Sequence, residues 1–179
     1  MDRITPAARA IQAIGFQCIR CGSCCTAIEE NSNIVMLSPQ EIREIGKRYG
    51  FTWNEIAEPY PGVITDQQGR SFTIGWCLTR KESVCSFLSQ KTCRIYDERP
   101  WICRTYPFEL VDGRVRTSPC PGLGRSISWE DAVVLAKNLV RRSDAELSEE
   151  EEIRQVLQNE SIPSGVFAVV DCEGIKTVK

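Results

Sequence analysis

The chain has 179 residues, 42% hydrophobic and 26% charged, which predicts one domain long enough to bury a core. Its net charge of −2 leaves no global basic field for nucleic acid, and no stretch reaches the roughly 18 apolar residues of a membrane span. Histidine is absent, which removes the commonest switchable acid–base group and the commonest imidazole ligand.

Ala7, Ile11 and Ile14 predict a helix over 5–15, followed by a cysteine loop in which Gly22 and Ser23 give backbone freedom. Ser38, Pro39 and Glu41 form a capping box for a helix that runs to Tyr49 and stops at Gly50. Thr52 and Glu55 cap a second, short helix that ends before Pro59. Residues 62–78 read as strands around the turn Asp66 to Gly69. The next cysteine region reads as loop, with a short helix from Asp97 to Cys103. Phe108 to Val111 and Arg114 to Arg116 make a hairpin about Asp112-Gly113. Ser128 caps a helix over 128–142 that buries Ala132, Val133, Ala136, Leu139 and Val140. A separate helix starts at Ser148, with Glu149 to Glu152 as its solvated first turn and Ile153, Val156 and Leu157 inward. Val166 to Val170 add a strand. No internal repeat is expected. The sum is an α+β fold, a single domain of short helices, small antiparallel hairpins and cysteine-rich metal-binding loops. Its cysteine-cluster core covers 18–124 and its helical C-terminal part 128–160.

Ten cysteines are many for this length. The opening Met1-Asp2-Arg3-Ile4-Thr5-Pro6 has no apolar export segment, and in a reducing cytosol clustered cysteines read as ligands rather than bridges. The expectation is a cytoplasmic, metal-binding protein. Cys18, Cys21, Cys24 and Cys25 fall at CxxCxxCC spacing, and two-residue gaps let one turn aim successive sulfurs at a centre. Neighbouring side chains diverge in a regular helix or strand, so Cys24 and Cys25 are expected to serve different metal centres or different irons of one cluster. The first three match the three-ligand arm of a cubane loop. The second region brings Cys85, Cys93 and Cys103, and Cys120 follows.

The full pattern is CxxCxxCC, then Cys85-Ser-Phe-Leu, then Cys93-Arg-Ile-Tyr-Asp-Glu-Arg-Pro-Trp-Ile-Cys103-Arg-Thr-Tyr-Pro, and a later Cys120-Pro-Gly. It resembles the YkgJ-type cysteine-cluster family, a zinc- or iron-chelating domain, over residues 18 to about 124. The resemblance implies eight ligands: Cys18, Cys21, Cys24, Cys25, Cys85, Cys93, Cys103 and Cys120. A more distant resemblance is to the flagellin lysine methylase FliB, which shares the cysteine pattern and is regarded as an iron–sulfur protein. Eight thiolates divide into two four-ligand sites, or into one site with extra redox thiols. Wide spacing in the second region favours an iron–sulfur cluster, one or two of the 4Fe-4S type, with zinc as the alternative. Cys77 and Cys172 lie outside the pattern and read as small buried or surface thiols.

A four-thiolate site is anionic. Arg99 and Arg104, with Arg20 and Arg94, are placed to offset that charge as cofactor-binding residues, or else to hold the loop by ordinary salt bridges. Tyr96 and Tyr106 read as packing. No GxGxxG follows a strand, no P-loop is present, and Gly122-Leu-Gly124 is too short for a nucleotide fingerprint. The expected role is electron transfer, or service as a cluster-dependent component for a protein or redox partner. The alternatives are a cluster-dependent modifying enzyme, by analogy with FliB, and a zinc-stabilised interaction module.

Overall fold

In the computed structural model, which describes residues 2–26 and 32–178, the first apolar stripe becomes helix α1 (Ile4–Ile14). Ala7, Ala8 and Ile11 are its buried face. Gly15 ends it at φ +74°, where a Cβ would stand 2.5 Å from the Arg125 carbonyl oxygen.

Helix α2 (Pro39–Tyr49) begins at the expected capping box. Glu41 N donates to Ser38 Oγ at 3.2 Å and Ser38 N donates to Glu41 Oε2 at 3.0 Å. The other Glu41 oxygen accepts Trp101 N at 2.8 Å, so this cap also anchors a distant segment. Helix α3 (Trp53–Ile56) is the expected short one.

The central strand Trp76–Leu78 pairs antiparallel with Met36–Leu37 and with Ala57–Pro59. Ser71–Ile74 belongs to a second sheet, between Ile64–Thr65 and Phe167–Asp171. Gly75, at φ +79°, breaks the run from one sheet to the other. The expected tail strand forms as Phe167–Asp171. It lies parallel to Ser71–Ile74 and folds back through Gly174–Val178. The predicted hairpin forms as Phe108–Val111 with Arg114–Thr117.

The short helix expected over 97–103 is divided. A 3-10 turn, Tyr96–Glu98, is followed by helix α4 (Trp101–Thr105). Pro100 forces Arg99 into an extended conformation (ψ 141°), which interrupts the helix.

Helix α5 (Trp129–Asn159) differs most from expectation: the two predicted helices are one of 31 residues. The Ser128 cap is present, its hydroxyl accepting Asp131 N at 3.0 Å. Ser143 to Leu147 contain no Gly or Pro, so nothing breaks the helix there. Glu149 to Glu152 are therefore mid-helix, away from the N-terminal dipole. Ile153 and Val156 pack on a core, but Leu157 is exposed.

Among the described residues, the buried apolar side chains form three clusters. One gathers Leu37, Ile42, Ile45, Ile56, Trp76, Leu78, Phe87 and Ile95. A second joins α1, Phe108 and the Ala132–Ala136–Leu139 stripe of α5. The third is Phe72, Ile162, Ala168 and Val170. Among the described residues, no helix is long and apolar enough to cross a membrane.

Candidate metal centre

The CxxCxxCC arm is fastened at both ends. At its start, Phe16 bridges Leu123, Gln17 N donates to Gly122 O at 3.0 Å, and Gly124 N donates to Gly15 O at 3.0 Å. A Cβ on Gly122 would lie 2.5 Å from Gln17 O. Gly122 thus permits a close backbone splice that carries Cys18 toward Cys120. At its end, Thr26 bridges Val84, which brings Cys25 toward Cys85. Between the two lies one 3-10 turn, Ser23–Cys25, entered through Gly22 at φ +80°. Asn33 Nδ2 clamps it by donating to Ser23 O at 3.2 Å and to Thr26 O at 2.7 Å.

Cys85 and Cys93 stand on two successive hairpins rather than on a loop. Arg80–Lys81 pairs with Val84–Cys85, and Leu88–Ser89 pairs with Thr92–Cys93. Each turn has two residues at positive φ, Glu82-Ser83 and Gln90-Lys91, the conformation of tight hairpin turns. Each hairpin ends in a cysteine, and the residue two further on, Phe87 or Ile95, is fully buried. Ser86 N donates to Thr79 O and Arg94 N to Phe87 O, so the same closure recurs eight residues later. An internal structural repeat therefore exists where none was expected. Its sequence trace is the matching pair Cys85/Phe87 and Cys93/Ile95. Cys103 comes from α4, which the Glu41–Trp101 bond docks against α2.

These segments surround an open cavity of about 430 Å³, lined by Cys18, Cys21, Cys24, Cys25, Cys93, Cys103 and Cys120. Cys85 is not in the lining but is close enough for its charge to act on Cys25 and Cys103, and for the charges of Cys93 and Cys24 to act on it. Backbone N–H groups face several sulfurs from two residues ahead: Ser23 toward Cys21, Phe87 toward Cys85, Ile95 toward Cys93 and Gly122 toward Cys120. Each bond pulls its thiol pKa down. The Gly122 N to Cys120 Sγ distance is 3.4 Å. Hydrogen bonding to the charged form favours thiolate, the ligating species. Burial opposes it, pushing the Cys85, Cys93, Cys103 and Cys120 thiols up on balance.

Cys24 and Cys25 do not diverge. Their sulfurs are 3.8 Å apart, because the last turn of a three-residue 3-10 segment follows neither the helix nor the strand period. The Cys25 thiol hydrogen-bonds Cys24 and, with a smaller contribution from Arg99, lowers the Cys24 pKa to about 6; the same contact drives Cys25 well up. The premise that these two side chains point apart is thus corrected.

Arg20, Arg99 and Arg104 line the cavity, as does Lys91, which the sequence did not single out; among the described residues no carboxylate does. The Arg99 guanidinium lies 3.6 Å from the centre of the Tyr96 ring, and its Nε donates to Tyr96 O at 3.0 Å. Arg20 approaches the same ring at 5.6 Å. Arg104 donates from Nε to Arg99 O and from Nη2 to Glu98 at 3.1 Å, so charge offset and loop bracing coexist there. Arg94 does not line the cavity, though its charge favours the Cys93 thiolate. It turns to the Phe51 and Phe87 rings and donates to Ser86 O, outside the lining. Tyr106 Oη donates to Pro119 O at 2.7 Å, tying the end of α4 to the Cys120 segment. Cys77 is buried in the central strand and Cys172 sits in the turn after Phe167–Asp171, both away from the cavity.

The donor set suits thiophilic metal: eight thiols, aimed N–H groups, cations on the rim and no imidazole. Among the described residues no three Cys, Asp or Glu converge as a ready-made single-ion site. The thiols surround a volume rather than a point.

A family model described as "CxxCxxCC: Putative zinc- or iron-chelating domain" matches residues 17–121. Over 102 residues the chain is 26% identical to the uncharacterized protein MJ0661 of Methanocaldococcus jannaschii, covering 56% of this chain and 48% of that relative. The chain thus spans about half the length of that relative. No solved structure matches it.

Proposed function

Because the chain belongs to the CxxCxxCC family of zinc- or iron-chelating domains, we propose that its cavity holds an iron–sulfur cluster for electron exchange with a protein partner. The observation that carries this reading is the cavity itself: seven cysteines line about 430 Å³ instead of meeting at one ion. A bound cluster would supply one-electron redox chemistry. The ligands would come from Cys18, Cys21, Cys24, Cys25, Cys85, Cys93, Cys103 and Cys120. Arg20, Arg99 and Arg104 would offset the charge of the thiolates, and the N–H groups two residues beyond Cys21, Cys85, Cys93 and Cys120 would favour their ionised form. Cys18 and Cys24 are exposed, so the open side admits a redox partner.

One observation favours zinc as the second reading. Zinc–sulfur bonds of about 2.3 Å place tetrahedral sulfurs about 3.8 Å apart, and the Cys24–Cys25 pair has that separation. Purification without oxygen, followed by iron, zinc and sulfide analysis and an absorption spectrum, separates the two. Iron with acid-labile sulfide and a broad band at roughly 400 nm is expected. A colourless protein containing zinc alone would overturn the iron–sulfur reading.

A further inference from the structure

The acidic run of α5 has a second setting that the metal centre does not use. In the middle of a 31-residue helix, Glu149 to Glu152 gain nothing from a helix N-terminus, and like charges at helical spacing oppose folding. The inner part of this run lines a groove of about 540 Å³ between α2 and the second half of α5. Helix α5 contributes one face, from Arg142 to Leu157, a length of about 22 Å at 1.5 Å per residue.

The groove is lined by apolar and acidic side chains together. Met36, Ile74, Trp101 and Leu157 give it apolar surface, with Met36 40% and Leu157 38% exposed. Glu44, Glu146, Glu149 and Glu150 line it as well. Two cations are present but committed. Arg142 pairs with Glu146 and donates to Thr105 Oγ1, while Arg154 pairs with Glu150 and Glu151. Glu149 has no hydrogen bond or ion pair with any described residue. Burial, then the charges of Glu41, Asp171, Glu152 and Glu146, push its carboxyl up to about 7. A cation placed there would relieve both the repulsion and the missing partner.

We propose that this groove is a docking site for a Lys- or Arg-bearing amphipathic helix of a partner protein, its apolar face on Met36, Trp101 and Leu157 and its cations on Glu44, Glu149 and Glu150. Charge complementarity selects a basic occupant, and the helix-long apolar lining selects an amphipathic segment over a lone ion. The site does not depend on which metal the cysteines hold.

The test uses the full, metal-loaded chain and a fluorescein-labelled synthetic helix of about 15 residues, enough to span the groove, with Leu along one face and Lys beside it. Anisotropy should show saturable binding. The double variant Glu149→Gln/Glu150→Gln should weaken it by roughly tenfold. The charge-matched pair Glu130→Gln/Asp144→Asn, on the same helix but outside the groove, should change it by less than about twofold. A peptide with Ser in place of Leu should also bind about tenfold more weakly. Metal content and melting temperature of each variant show that the fold persists. Equal weakening by the two charge-matched variants would overturn the proposal in favour of diffuse attraction. Undiminished binding of the Ser peptide, full displacement by stoichiometric spermine or magnesium, or absence of any binding would overturn it as well.

Discussion

The two cysteine arms reach the same cavity by opposite means. No residue of 16–26 is buried, and Ile19 is 42% exposed. The arm is held by backbone splices at its ends and by Asn33 across its turn. The hairpin arm plants Phe87 and Ile95, at 1% and 0% exposure, in the main core, two residues after each cysteine. Core burial orders the second arm by itself, whereas the first lacks the apolar surface to offset its ordering entropy. On the proposed function, ligation would supply that free energy to the first arm. The comparison teaches that one arm is ordered by core burial and that the other would need a bound metal to be ordered as firmly.

The sharpest way to break this comparison is to remove a buried anchor. Phe87→Ala should cost about 3–5 kcal/mol, as for other large-to-small core changes, and should lower metal content with the fold. Ile19→Ala, on the exposed arm, should stay within about 0.5 kcal/mol. Thermal melting of both variants decides. Equal melting temperatures would mean that Phe87 does not anchor the hairpins.

A smaller loss is expected at the splice. Gly15→Ala puts a Cβ against the Arg125 carbonyl at a positive φ, a strain of order 1–3 kcal/mol. Its signature should be selective: faster hydrogen exchange at Gln17 and through 18–26, with Ser86 N and Arg94 N still protected. Uniform loss of protection would show that the two arms order as one unit.

What the sequence made legible follows from local chemistry. Ser38 with Glu41 and Ser128 with Asp131 are caps whose partners lie three residues away, and they appear where expected. CxxCxxCC is likewise a local pattern, and its Cys18, Cys21, Cys24 and Cys25 all line one cavity. The illegible parts are non-local or conformational. Glu82-Ser83 and Gln90-Lys91 adopt positive φ without the Gly or Asn that normally marks such turns. Glu41 holds Trp101 across 60 residues. Gly15 and Gly122 look like flexible loop residues until the opposing backbone is seen. Arg94 turns to its aromatic neighbours, although its charge still reaches Cys93.

Thiol reactivity sharpens the comparison within the cavity. In metal-free, reduced protein Cys24 should be alkylated by iodoacetamide with a midpoint near pH 6, since Cys25 and Arg99 hold its thiol down to about 6. Cys103, pushed up by burial, should remain slow through neutral pH. The sign for stability follows: the Cys24 contribution is present above the unfolded value of about 8.5 and is lost as pH falls through about 6. Arg99→Gln should move the Cys24 midpoint upward while leaving the fold intact. Peptide mapping of the alkylated sites is the measurement, and an unmoved midpoint would remove Arg99 from the electrostatics of the site.

The smallest effects should come from the thiols outside the cavity. Cys77 is buried in the strand Trp76–Leu78, its Sγ 3.7 Å from Pro59 O, and burial pushes its thiol up to about 11. Cys172 stands among Glu149, Asp171, Glu152 and Glu173, and burial with those charges likewise pushes it up to about 11. Neither environment favours thiolate, and neither lines the cavity. Cys172→Ser should therefore change neither metal content nor absorption. Cys77→Ser should do the same at a stability cost of about 1 kcal/mol, because a serine hydroxyl can donate to the same Pro59 carbonyl. Cys21→Ser and Cys93→Ser, one from each arm, should both lose metal under identical anaerobic purification. The contrast lies in what remains: Cys93→Ser keeps Phe87 and Ile95 in the core, so its far-ultraviolet circular dichroism should match that of the metal-free parent. Metal loss in Cys172→Ser equal to that in Cys21→Ser would show that the cavity does not define the ligand set.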